Sequence, residues 1–139
     1  MKLSDIALSD SAKAGKWFDY VDLWDGKPLD GVRVMLASTD LDEYRRELTR
    51  PMQEFAAKRI QSGRLQGAMP TPEAQDEAIV QAMAKFILKD WKGMTDDAGG
   101  ELPCSLTNRV TWLRNRRFRE SILALADQPA VFQEREQGD

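Results

Sequence analysis

The segment from Thr71 to Lys92 limits the possible folds more than any other. Thr71-Pro72-Glu73 reads as a helix start. It offers a capping hydroxyl, a proline whose missing N–H costs nothing at the first helical position, and a carboxylate at the positive end of the helix dipole. Ile79, Met83, Phe86, Ile87 and Asp90 then recur at helical spacing, with Val80 and Trp91 flanking the stripe and Gly93 as a stop. This spacing predicts a helix over 71–92. Such an amphipathic helix must bury its stripe against neighbours, so the remaining elements have to supply a core.

The neighbours are mostly helical. Ser38 or Thr39 is placed to cap a helix with Asp40, Asp42 and Glu43 in its first turn and Leu41, Tyr44 and Leu48 as its stripe. Pro51 either breaks or kinks that helix, or opens a second one burying Met52, Phe55, Ala56 and Ile60. Residues 61–70 read as a loop, and so do residues 94–104. Ser105 caps a short helix with Leu106, Val110 and Leu113 on one face; Asn115 to Arg117 interrupt it. A last helix buries Phe118, Ile122, Leu123 and Leu125 and stops at Asp127-Gln128-Pro129.

Before these helices, residues 16–37 predict a β-hairpin. One limb is KWFDYVDLW. The other, GVRVMLA, places Val32, Val34 and Leu36 on one side. Asp25-Gly26 and Asp30-Gly31 form the connecting loop. An isolated hairpin is marginal in water and has to pack on the helices. The expected architecture is mainly α with a small N-terminal hairpin (α+β), a single compact domain of four to five helices over 16–133. Residues 1–15 are expected to form a flexible arm and residues 134–139 a polar tail.

Composition narrows the chemistry. Histidine is absent, which removes the commonest general base and metal ligand. The single cysteine, Cys104, rules out an intrachain disulfide and a cysteine-based zinc site. Gly99-Gly100 is followed by Glu101-Leu102, so it is no phosphate loop. The acidic clusters at Asp40-Leu41-Asp42-Glu43, at Asp96-Asp97, and at Asp22 with Asp25 suit helix starts and turns better than metal binding. No catalytic residue, metal or cofactor is expected, and the chain reads as a non-enzyme. Nothing approaches the ~18 apolar residues of a membrane span. No apolar run of signal-peptide length follows Met1, so the expectation is a protein that is not exported.

The one local anomaly is basic. Arg109, Arg114, Arg116, Arg117 and Arg119 fall in a stretch without acids, interleaved with Trp112 and Phe118. Arginine beside aromatic rings grips phosphates and stacks bases, and equally docks an acidic protein surface. The net charge of −3 weighs against nucleic acid. The candidate partner-binding residues are therefore Trp91, Arg109, Trp112, Arg114, Arg116, Arg117 and Arg119. Two alternatives remain open: a small nucleic-acid-binding regulator using the Arg109–Arg119 run, and a structural head–tail component of a phage.

The segment FILKDWKGMTDDAGGELPCSLTNRVTWLRN, Phe86 to Asn115, has a distinctive layout. A helix ends in Asp-Trp-Lys-Gly, an acidic glycine turn follows, then Leu-Pro and a Ser-capped helix, with a later amphipathic segment ending at Val131-Phe132. Over about residues 16–133 this layout resembles the tail assembly chaperones of long-tailed bacteriophages, lambda-type or related. The resemblance implies a non-enzymatic morphogenesis factor. It would bind the tape measure protein, assist polymerisation of the tail tube protein, self-associate as a homo-oligomer, and work in the bacterial host cytoplasm without entering the mature virion. It also implies that some members have a longer, frameshifted form.

Overall fold

The computed structural model describes residue 2 and residues 10–62 and 71–128. Along the chain run α1 (Asp10–Ala14), β1 (Lys16–Val21), β2 (Pro28–Leu36), α2 (Asp42–Ser62), α3 (Pro72–Ala82), a π-helical turn (Met83–Ile87), β3 (Leu88–Lys92), α4 (Leu106–Leu113) and α5 (Arg116–Ala126). The class is the expected one: compact α+β, mainly helical, with an N-terminal hairpin. Most of the expected arm (residues 1 and 3–9), the expected loop over 63–70 and everything from Pro129 on, including Val131-Phe132 and the tail at 134–139, lie outside the described residues. So do the side chains of Phe55 and Ile60.

β1 and β2 pair antiparallel, with Trp17 opposite Met35 and Phe18 opposite Val34, and a bulge lies between Asp19 and Val21. The loop 22–27 joins them. Alternation along β2 puts Val34 and Leu36 in the core and Arg33 outside. On the outer face the Lys92 ammonium sits 4.4 Å from the Trp17 ring centre, and Arg33 ion-pairs with Asp19 at 3.5 Å. The inner face carries Tyr20, Val34, Leu36 and Trp91 into a core shared with Val80, Met83, Ile87, Leu113 and Ile122.

The helix expected over 71–92 is only partly present, and this is a correction. The start is as expected: the Thr71 hydroxyl accepts from the Ala74 N–H, and Pro72 follows it. The α-helix ends at Ala82, continues as a π turn, and then residues 88–92 extend as β3 against β2. Thus the hairpin is two-thirds of a three-stranded sheet in the order β1-β2-β3. The reason lies in register. Leu36 faces Leu88 while Met35 faces Asp90, so Lys89 is an extra residue in a bulge. A bulge turns Leu88 and Trp91, three apart, onto the same buried face. Three-residue spacing is also a helical signature, which is why the sequence pattern misleads here.

Pro51 neither ends a helix nor opens one. It sits inside the continuous α2. Tyr44 and, just before the helix, Leu41 are buried, and α2 packs against α3. That tertiary packing offsets the lost backbone bond. Met52, expected to be buried, is instead exposed. Ser105 and Asn115 cap α4 and α5 by accepting from the N–H groups of Asn108 and Phe118, so the expected interruption at 115 is a second helix start.

Candidate docking cleft

Most large apolar side chains of the described residues are buried, but Leu23, Trp24, Leu29, Met52, Leu106 and Trp112 are exposed by 51%, 58%, 54%, 42%, 46% and 36%. Leu23 and Trp24 belong to the hairpin connection, Leu29 to the start of β2, Leu106 and Trp112 to α4, and Met52 to α2. Leu29 and Trp112 line one open cleft of about 340 Å³, together with Tyr20, Val32, Met94 and Phe118. Gly93, Thr95, Asn115 and Arg117 complete its wall. The hairpin provides one side, the residues after β3 a second, and the α4–α5 junction the third.

The floor is a run of aromatic rings. Tyr20 stacks on Phe118 with centroids 5.6 Å apart and planes at 21°. Trp112 meets Phe118 edge-on at 5.4 Å and 63°. Both geometries are favourable for aromatic quadrupoles. Phe118 is buried and holds the set in place, while Trp112 presents its ring to solvent. Burial pushes the Tyr20 phenol above its ordinary value, so it stays neutral.

The hairpin connection is fastened to α5 beside the cleft. The Leu23 N–H donates to Ser121 Oγ at 2.9 Å, and the Ser121 hydroxyl donates to the Arg117 carbonyl at 2.9 Å. Trp24 Nε1–H donates to Glu120 at 3.0 Å. Arg117 ion-pairs with Asp22, pairs with Asp25 at 3.2 Å, and lies 5.5 Å from the Trp24 ring centre. The Arg117 guanidinium beside Asp22 holds its carboxyl below the ordinary carboxylate range. A depressed carboxylate pKa contributes stability above its unfolded value near ~3.9, and that stability is lost as pH falls through the lowered folded value. Asp22→Asn is therefore expected to be less stable than wild type at neutral pH, with the gap closing as pH falls below about 4. Urea midpoints at neutral and acidic pH check this.

The arginines expected to form a free patch are mostly engaged inside the molecule. Arg109 donates to the carbonyls of Ala84 and Cys104, each at 3.0 Å. Arg114 pairs with Glu77 at 2.8 Å, and Arg116 with Glu120 at 2.8 Å. Arg119 donates to the Leu113 carbonyl at 3.0 Å, spanning the α4–α5 junction. Trp91 is 5% exposed and donates its indole N–H to the Leu102 carbonyl at 2.8 Å. Of the seven candidate residues, the structure brings Trp112 and Arg117 together in the cleft and puts the other five elsewhere. Tyr20, Leu29, Val32, Met94 and Phe118 were not among the candidates. The sequence signals for them were the apolar residues of the hairpin for Tyr20, Leu29 and Val32, and the place of Phe118 among the arginines and on the stripe of the last helix; nothing marked Met94.

Cys104 is half-buried beside Arg109, and burial raises its thiol pKa, which works against thiolate chemistry. Among the described residues no group of three or more Cys, Asp or Glu side chains is placed to hold a metal ion. Nor is any helix among them long and apolar enough to cross a membrane.

A family model described as YdaY prophage protein matches residues 38–139, from the turn before α2 to the end of the sequence. No curated protein matches, and no solved structure does. The match covers well over half of the chain, so the protein belongs to the YdaY prophage protein family.

Proposed function

We propose that this prophage protein is a non-enzymatic binding factor of phage morphogenesis, specifically a tail assembly chaperone that holds the tape measure protein while tail tube protein polymerises around it. The observation that carries the reading is the cleft. Leu29 and Trp112 are left exposed around an aromatic floor, and Leu23 and Trp24 beside them extend the apolar surface. Contiguous exposed apolar surface on a small domain favours a protein partner. A tape measure protein offers long apolar helical stripes, and docking a helix in a groove needs no catalysis. The prophage family supports the phage setting. On this reading the protein acts in the host cytoplasm, binds as a homo-oligomer, and is left out of the virion.

The nucleic-acid alternative is weaker, because the arginines that would contact phosphate already pair with carbonyls and carboxylates of the same chain, which reduces the unmatched positive charge of the run.

Co-expression with the tape measure protein of the same prophage tests the proposal. The soluble fraction of that protein is expected to rise several-fold with wild type and to fall back with Leu29→Asp. No gain with wild type, and no recovered complex, would overturn it.

A further inference from the structure

Two of the chain segments that line the apolar cleft run on into acidic residues, although the lining itself holds no carboxylate. The hairpin connection and the start of β2, which supplies Leu29, carry Asp22, Asp25 and Asp30 against a single base, Lys27. The loop that begins with Gly93, Met94 and Thr95 continues through Asp96, Asp97 and Glu101 with no base before Arg109. Arg117, the one cation of the cleft wall, is already matched by Asp22 and Asp25. Arg33 and Lys92 sit on the outer face of the sheet around Trp17. Asp30 follows the lining residue Leu29, Glu101 pairs across from the lining residue Thr95, and Asp97 lies between them in that loop; all three are exposed and leave excess negative charge on the segments that border the cleft.

We infer that the cleft takes an amphipathic helix whose apolar stripe is flanked by lysines or arginines, docked with that basic flank against the 22–31 and 94–102 loops. This deepens the proposed function and rests on it: it names the kind of helix that the chaperone selects from its partner. The stripe supplies the burial, and the flank sets orientation and encounter rate, because unlike charges steer association and like charges repel. Exposed pairs are screened, so the selectivity should shrink as salt rises.

Calorimetric titration of the whole protein with three synthetic amphipathic peptides of about 20 residues tests this, each long enough to form a helix. They share one leucine stripe and differ in flanks of lysine, glutamine or glutamate. At low salt the lysine peptide should bind roughly ten-fold or more tighter than the glutamate peptide, with the glutamine peptide between them. The triple variant Asp30→Asn, Asp97→Asn, Glu101→Gln should lose most of that preference and leave the glutamine peptide's affinity unchanged. None of these three side chains holds a described hydrogen bond or ion pair, so the fold should survive. Equal or tighter binding of the glutamate peptide overturns the inference, and so does failure of all three peptides to bind. Sedimentation of the free protein as a dimer that Leu29→Asp splits would give the cleft to a second copy and also overturn it. Loss of charge preference with the tape measure protein still solubilised would sink this inference alone. Charge preference without solubilisation would sink the chaperone reading instead.

Discussion

Gly93→Ala is expected to destabilise the protein by about 2–5 kcal/mol, with a melting temperature lower by roughly 8–20 °C. Gly93 has φ +82°, a left-handed backbone that an L side chain rarely adopts. A Cβ there would lie 2.0 Å from the Gly31 carbonyl oxygen and 2.8 Å from its carbon. Both are backbone atoms at the head of β2, so no side-chain rotation relieves the overlap. The sheet would have to part where β3 hands the chain to the cleft wall. Gly26→Ala is the control. Its φ of +71° is equally left-handed, but a Cβ there meets nothing within 4 Å. It should cost only about 1–2 kcal/mol. Urea denaturation of both variants measures the difference, and equal losses would refute the steric account.

Trp91→Ala should cost about 3–5 kcal/mol, as large-to-small changes at buried aromatic sites do. Trp91 lies on the inner face of β3, and its indole N–H satisfies the Leu102 carbonyl, tying the 94–104 loop down. Trp91→Phe keeps most of the buried surface and loses only that bond, a cost of about 1 kcal/mol. Both changes should show in thermal melts. The phenylalanine variant should still support tape measure solubility, because the Trp91 ring points into the core. A folded Trp91→Phe protein without that activity would show that the ring acts in binding.

The elements that read correctly from the sequence are those whose signals are local. Thr71 and Ser105 each accept the backbone bond of a helix start, and Tyr44, with Leu41 just before α2, is buried as the stripe predicts. The hairpin showed through the alternation of Val32, Val34 and Leu36. What failed was non-local. β3 was hidden because a bulge imitates helical spacing at Leu88 and Trp91. Pro51 was ambiguous because only packing on α3 decides that α2 runs through it.

The site shows the same division. Asp22 and Asp25 read as a turn cluster, and Arg109 to Arg119 as an unopposed basic run. The fold closes the two on each other through Arg117. Arg114 finds Glu77 on α3, 37 positions earlier in the chain. A stretch without acids is therefore not an unpaired surface, because the acids arrive from distant segments. Trp112 was legible as a candidate contact residue; the run of rings it forms with Phe118 and Tyr20 was not, since that depends on where α5 meets β1.

The central claim is that this molecule works by holding another polypeptide in the cleft between the hairpin, the residues after β3 and the α4–α5 junction. Hydrogen–deuterium exchange on the complex with the tape measure protein tests it most directly. Binding should slow exchange at residues 29–32, 93–95 and 112–118 and leave the α2–α3 face unchanged. Slowed exchange confined to α2 and α3, with the cleft segments unaltered, would contradict it.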